Sequence, residues 1–197
     1  MHSHGASLTD CGLPGIAGVP YGIHMCHFYR SSRELAEALV PYLSAGLRAK
    51  ERCIWVTAEP LPAAAAKRAL GEAGFDVEAE IRDGALSVID HADWYAKSGE
   101  LRGTDVVELW LEEERKALVA GYTGLRITGN VTFLTPQTWP LFMEYEGLLD
   151  KAFAGRRIVT LCTYLVPQTD AAGTLDVIRR HNCVIDHPDE GWQVLTR

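Results

Sequence analysis

Residues 22–29 read GIHMCHFY, a segment that holds two histidines, a cysteine and two aromatic residues directly before a helical pattern. Side chains in a strand alternate between its two faces, so His24, Cys26 and Phe28 would share one face and Tyr29 would lie on the other. This is more coordinating groups than packing needs in one core strand. We therefore interpret the segment as a ligand-reading strand.

The composition is that of a folded globular protein, with 47% hydrophobic and 23% charged residues in a chain of 197. The net charge of -7 argues against a direct nucleic-acid surface, which needs clustered basic residues. No apolar run is long enough to span a membrane, and we find no signal peptide, so we expect a cytoplasmic protein.

The five cysteines are odd in number and show no CxxC spacing, which argues against a disulfide framework. A redox switch that uses Cys26 or Cys162 remains an alternative.

Strands and helices alternate along most of the chain. This predicts an α/β fold with three layers, in which a mostly parallel sheet carries helices on both faces. Two closing strands, around Cys183 and Trp192, are expected to form an antiparallel pair. The predicted parallel strands are 22–29, 53–57, 84–89, 125–130 and 158–164. The predicted helices are 35–47, 63–73, 104–119, 136–153 and 172–181.

The first 20 residues are rich in Gly, Pro and Ser and lack periodicity, so we predict a flexible arm over residues 1–20 and a single domain over residues 21–197. Pro41 suggests a kink or break in the first long helix. Residues 91–95 are interpreted as a loop.

Ligands of open parallel sheets bind beyond the carboxyl ends of the strands. We expect a small pocket there, walled by aromatic residues and bearing a few polar groups. The candidate ligand-binding residues are His24, Cys26, Tyr29, Thr57, Glu59, Trp94, Tyr95, Thr128, Asn130, Cys162 and Tyr164.

Motifs of the common enzyme classes are absent: the sequence has no phosphate-binding GxxxxGK[ST], no GxGxxG after a strand, no GxSxG and no HExxH. We therefore expect neither ATP hydrolysis nor a catalytic residue. A metal remains open as an alternative. His24, Cys26 and Cys162 could together hold a transition metal such as zinc, in a metal sensor or a metal-dependent enzyme.

Several ordered segments resemble the MEDS domain, the methanogen/methylotroph, DcmR sensory family. The resemblance extends from about residue 22 to the C-terminus and is carried by residues 24–29, 39–43 with Gly46-Leu47, 51–57, 124–129 and 161–164. Residues 39–89 also resemble the core of KaiC/RecA-like ATPases, but Phe28-Tyr29-Arg30-Ser31-Ser32 stands where that superfamily has its phosphate loop.

The resemblance implies a stand-alone prokaryotic sensory domain that binds a simple hydrocarbon derivative. It also implies a signalling partner, namely a histidine kinase, a sigma-factor regulator or a transcription factor. A homo-oligomer is left open by the sequence, and so is a pure interaction protein whose pocket is vestigial.

Overall fold

A computed structural model describes residues 7–96, 103–188 and 191–196. Its main feature is a seven-stranded sheet with the strand order β5-β4-β6-β7-β3-β8-β9. All neighbours run parallel except β8 and β9, which are antiparallel. The predicted α/β class, the mostly parallel sheet and the closing antiparallel pair are confirmed. The strands are β3 (His24–Tyr29), β4 (Arg52–Thr57), β5 (Leu86–Asp90), β6 (Leu125–Asn130), β7 (Ile158–Leu165), β8 (Cys183–Asp186) and β9 (Gln193–Thr196).

Helices cover both faces of this sheet and enclose two apolar cores. One face carries α1 (Ser32–Arg48), α2 (Ala63–Glu72) and α3 (Val77–Arg82), and the other carries α4 (His91–Ala96), α5 (Gly103–Val119), α6 (Trp139–Phe153) and α7 (Ala171–Arg180). A short 3-10 turn, Val166–Gln168, follows β7. Within the described residues, no helix has the length and apolar content to cross a membrane.

Two local predictions are wrong. Residues 91–95 form helix α4 rather than a loop, since Trp94 on that segment is buried and stacks on Trp110 at 4.1 Å between ring centroids. Helix α1 runs unbroken through Pro41, because the helix packs along the sheet and tertiary contacts outweigh the local propensity.

Helix α1 begins at Ser32, three residues before the predicted start at residue 35, and side chains cap this end. The Ser31 side chain accepts a hydrogen bond from the backbone N–H of Glu34, and the Glu34 carboxylate accepts one from the backbone N–H of Arg30. Ser31 thus satisfies one backbone donor of the first helical turn, and Glu34 pairs with the N–H of the residue before the cap.

The predicted arm over residues 1–20 is corrected from residue 7 onward. Residues 1–6 lie outside the described part of the chain, whereas β1 (Leu8–Thr9) and β2 (Val19–Pro20) pair as a short antiparallel ladder. Cys11 and Leu13 between them are buried in the core beside α1. Gly12 has a positive φ of 85°, and a Cβ there would clash with the Pro41 carbonyl oxygen, so the segment lies directly on α1.

A buried ion pair fastens this N-terminal segment to the sheet. Arg126 of β6 donates from Nε to Glu51 Oε2 at 2.5 Å, and both side chains are fully buried. The guanidinium also donates to the carbonyl of Asp10, while the other Glu51 oxygen accepts from the hydroxyls of Thr9 and Tyr21. Polar partners inside the core therefore hold a segment whose composition suggested flexibility.

Candidate functional site

Two of the predicted site residues meet on one face of the sheet. His24 is the first residue of β3 and Cys162 lies in the middle of β7, and these two strands pair directly. The Cys162 Sγ lies 3.4 Å from His24 Nε2. The strand alternation predicted for residues 24–29 is confirmed, because Cys26 packs in the core on this face and Met25 and Tyr29 pack in the core on the other.

Two further side chains complete the cluster, and the sequence interpretation missed both. Glu146 of α6 places Oε2 2.9 Å from His24 Nε2, 3.2 Å from His181 Nε2 and 3.7 Å from Cys162 Sγ. His181 directly follows α7. We call His24, Glu146, Cys162 and His181 the buried quartet. Each of its members is at most 6% exposed, and their candidate ligand atoms all lie within 4.8 Å of one another.

Local contacts fix the two histidines in place. His181 Nδ1 lies 2.7 Å from the Val177 carbonyl oxygen one helical turn earlier, so this nitrogen is the donor and Nε2 is left to face Glu146. The backbone of His24 is tied to Asn182, which donates its N–H to the His24 carbonyl and accepts the His24 N–H with its side-chain oxygen. The start of β3 and the end of α7 are therefore held together at the quartet.

Burial and charge act against each other in the quartet. Burial raises the pKa of the Glu146 carboxyl, but contacts with His181 and His24 outweigh burial, and the pKa lies well below its usual range. Burial lowers the pKa of His24, and the charge of His181 lowers it further. Burial raises the pKa of the Cys162 thiol, and Glu146 adds to this effect. Glu146 is thus the anionic centre of the quartet, next to a thiol that stays protonated.

A small cavity of about 20 Å³ adjoins the quartet between the sheet and helices α4, α5 and α6. We call it the Gly129 cavity, because a Cβ added at Gly129 would meet no atom within 4 Å. Glu146 and Cys162 form its polar end, together with Thr160, whose buried hydroxyl has no hydrogen-bond partner. Its aromatic wall consists of Tyr95, Trp110, Phe142 and Tyr145.

A hydrogen bond joins two helices in the wall of the Gly129 cavity. The indole N–H of Trp110 donates to the hydroxyl of Tyr145 at 2.7 Å, so α5 and α6 are cross-linked beside the cavity. The cavity therefore has the apolar lining and few polar groups that are typical of small-molecule sites. At about 20 Å³ it holds a molecule of about water size, so a larger ligand would need the surrounding helices to move apart.

Four of the predicted ligand-binding residues instead support the fold around β6. Tyr29 donates to the side-chain oxygen of Asn130, and the Asn130 amide donates to the carbonyl of Glu59. The Thr57 hydroxyl donates to the Ile89 carbonyl. The Glu59 side chain is exposed. These hydrogen bonds tie the carboxyl ends of the strands to one another.

The other predicted residues lie close to the cavity and the quartet. Tyr95 and Thr128 line the cavity, and Trp94 stacks on the cavity residue Trp110. The Tyr164 ring packs edge-on against His181 at 5.8 Å. The Cys26 thiol is directed to the Cys183 carbonyl at 3.7 Å. Of the predicted metal set, the structure brings His24 and Cys162 together with Glu146 and His181, while the Cys26 thiol is directed to the Cys183 carbonyl.

The position of the quartet also differs from the predicted one. The sequence placed the site at the carboxyl edge of the sheet, whereas His24 opens β3 and the quartet lies between the sheet and helices α6 and α7. After the carboxyl end of β3, the Glu34 carboxylate accepts the Arg30 N–H and the Ser31 side chain accepts the Glu34 N–H. A phosphate group would need these donors free.

A hint of Glu146 was present in the sequence. It falls four residues after Phe142 and three after Met143, so a carboxylate interrupts the apolar stripe of α6. A charge on a buried helical face needs a partner, and the histidines are the partners here. His181 follows α7 at a position without any such pattern.

Comparisons with known proteins agree with this architecture. No curated protein matches the sequence. Among solved structures, a KaiC-like protein from the hyperthermophilic archaeon Pyrococcus horikoshii OT3 superposes with a TM-score of 0.62 at 14% sequence identity, covering 98% of this chain and 88% of that one. A likeness at this identity concerns the fold. The family model of the MEDS (MEthanogen/methylotroph, DcmR Sensory) domain matches residues 23–182, and the chain therefore belongs to this family of sensory domains.

Proposed function

We propose that this sensory domain binds a small organic molecule, a simple hydrocarbon derivative with one polar group, in the Gly129 cavity. The observation that carries the proposal is the cavity's lining. Its aromatic and aliphatic wall suits a short hydrocarbon portion, and its polar end offers the unpaired Thr160 hydroxyl. A buried hydroxyl without a partner costs free energy, which a polar group of the ligand would recover.

Helix α6 offers a route from the cavity to a signalling partner. Its inner face contributes Phe142, Tyr145 and Glu146 to the cavity, while Leu141 and Leu148 of the same helix are exposed. A ligand that displaces the inner face also displaces the outer one, and so changes the surface offered to a kinase, a sigma-factor regulator or a transcription factor.

The proposed activity is binding rather than catalysis. At the start of α1, where the resemblance places the phosphate loop of KaiC/RecA-like ATPases, Ser31 and Glu34 of the chain itself accept backbone N–H groups. We therefore expect no ATP hydrolysis and no direct binding of nucleic acid, in keeping with the net charge of -7.

Thermal unfolding with a panel of short alcohols, halomethanes, aldehydes and short acids tests the proposal. A binder of the folded state raises the stability by about 2.7 kcal/mol at 100 times its dissociation constant. The matched controls are Gly129→Ala, which fills the cavity, and Gly71→Ala, which adds the same methyl group on α2, a helix on the other face of the sheet. Stabilisation of the wild type and the Gly71 variant, but not of the Gly129 variant, supports the proposal. Stabilisation by no compound, or equally in all three proteins, refutes it.

A further inference from the structure

We propose that the buried quartet is a binding site for a divalent metal ion of the zinc class, with His24, His181, Cys162 and Glu146 as its ligands. The inference deepens the proposed function, because Glu146 and Cys162 also line the Gly129 cavity. The metal is measured without any organic ligand, so each proposal can fail by itself.

Four of the six donor pairs have nearly the spacing of a tetrahedral site. Zinc bonds of about 2.0–2.1 Å to nitrogen or oxygen and about 2.3 Å to sulfur place tetrahedral donors about 3.3 Å apart, or about 3.5 Å apart when one is sulfur. The quartet shows 2.9 and 3.2 Å from Glu146 Oε2 to the two imidazoles, and 3.4 Å from Cys162 Sγ to His24 Nε2. The other two pairs join His181 to His24 and to Cys162 and lie within 4.8 Å, so an ion would bind with a shift of the His181 side chain toward the other donors.

His181 is oriented as a metal ligand. His181 Nδ1 is held by the Val177 carbonyl, the kind of second contact that fixes the tautomer of a metal-bound histidine. Its Nε2 is fully buried and faces Glu146, yet it makes no hydrogen bond of acceptable geometry. In the neutral ring that donates from Nδ1, Nε2 presents its lone pair to the Glu146 carboxylate, and a cation between these two atoms would pair with both.

The charges of the quartet also fit a divalent ion. Glu146 supplies one negative charge, and Cys162 supplies a second once its thiol proton is lost, so two anionic and two neutral donors surround the ion. Binding breaks the S–H bond, forms the metal–sulfur bond and releases one proton to solvent. Mixed nitrogen, oxygen and thiolate donors favour zinc over magnesium or calcium, which prefer oxygen alone.

Four protein ligands indicate a structural or sensing metal rather than a hydrolytic one. Catalytic zinc sites keep one position open for water, whereas structural sites are closed by the protein. The quartet draws its ligands from β3, β7, α6 and the end of α7, so one ion would cross-link four elements. A small molecule in the Gly129 cavity lies beside two of these ligands and could alter the coordination.

The experiment uses full-length protein purified without an affinity tag, with His2→Asn and His4→Asn to remove the histidines near the N-terminus. Elemental analysis measures the metal content, and titration of metal-free protein with zinc and with cobalt(II) measures the affinity. We expect one metal per chain, with visible bands of tetrahedral cobalt and a thiolate-to-cobalt charge-transfer band in the ultraviolet.

Two cysteine variants identify the ligand set. Cys162→Ser should abolish the charge-transfer band, whereas Cys26→Ser should keep it, although Cys26 is equally buried and pairs directly with Cys162 in the sheet. His181→Ala should weaken binding by more than about 100-fold, since loss of outer contacts alone costs 10–100-fold. Circular dichroism checks the fold of each variant.

The wild-type measurement stands even if a variant fails to fold. Absence of metal after purification together with no binding on titration overturns the proposal. So does a charge-transfer band that persists in Cys162→Ser, or zinc affinity that is unchanged in a folded His181→Ala variant. If the protein binds no metal but is stabilised by an organic compound, the metal proposal fails and the proposed organic ligand site stands. If it binds metal but no organic compound, the proposed function fails and the metal site stands.

Discussion

Replacement of Gly129 by alanine should stabilise the protein and abolish ligand binding at the same time. A Cβ at this position meets no atom within 4 Å, and Gly129 has no positive φ to strain an alanine. Burial of the added methyl group in the cavity should stabilise the folded state by about 0.8 kcal/mol. Loss of backbone freedom in the unfolded chain adds about 0.4–1 kcal/mol. The free energy of unfolding should therefore rise by about 1–2 kcal/mol.

Urea denaturation followed by circular dichroism measures this change, and thermal unfolding should show a midpoint higher by about 2–8 °C. Gly71→Ala is the matched control. Its Cβ also enters open space, on the exposed side of α2, and its higher helix propensity should stabilise the protein by up to about 1 kcal/mol. Only the Gly129 variant should lose the increase in unfolding temperature that an organic ligand produces.

Destabilisation of Gly129→Ala by 1 kcal/mol or more would refute this reasoning, because it would mean that the methyl group meets packed atoms instead of a cavity. Stabilisation with unchanged ligand response would place the ligand elsewhere. A sensing cavity that stabilises the fold when filled is typical of a site where function, rather than packing, keeps the space open.

Three further outcomes follow from other buried groups. Glu51→Ala leaves its arginine partner buried and uncompensated, so it should cost about 3–5 kcal/mol in urea denaturation, while Glu37→Ala at an exposed ion pair should cost about 1 kcal/mol or less. Burial lowers the pKa of His27, so the unfolded chain binds more protons and stability should fall as the pH drops below about 6.5; His27→Asn should flatten this dependence in denaturation curves. Burial raises the pKa of Cys183 to about 11, so this thiol should resist alkylation at neutral pH until the protein is unfolded, and mass spectrometry of labelled peptides would detect the reverse.

The strands could be predicted from the sequence because the sheet is buried on both faces. Residues 53–57 and 158–164 are continuous apolar or β-branched runs, and such runs are typical of central parallel strands. The first 20 residues were harder to interpret. Their Gly- and Pro-rich composition concealed the order that Arg126 and Glu51 impose, since those partners lie more than 40 positions further along the chain.

The candidate site could be predicted only in part, for a similar reason. His24 and Cys162 lie on predicted strands, and their shared face followed from strand alternation. Which helix would cover that face did not follow. Glu146 and His181 join the quartet because α6 and α7 pack over β3 and β7, and such a contact depends on chain topology that no local pattern encodes.

The quartet is buried more deeply than the active sites of enzymes with open parallel sheets. Enzymes of open parallel sheets exchange substrate at the exposed carboxyl edge, whereas the quartet and the Gly129 cavity lie beneath α6, with every quartet side chain at most 6% exposed. In the proposed function, a ligand larger than a water molecule can then fit only when helices on this face move apart, because the cavity holds about 20 Å³. Since ligand binding then requires the helices to move, binding and the helix movement are thermodynamically linked. Each shifts the equilibrium constant of the other by the same factor. In the proposed function, this coupling transmits ligand occupancy to the outer surface of α6, which is the behaviour that a sensory domain needs.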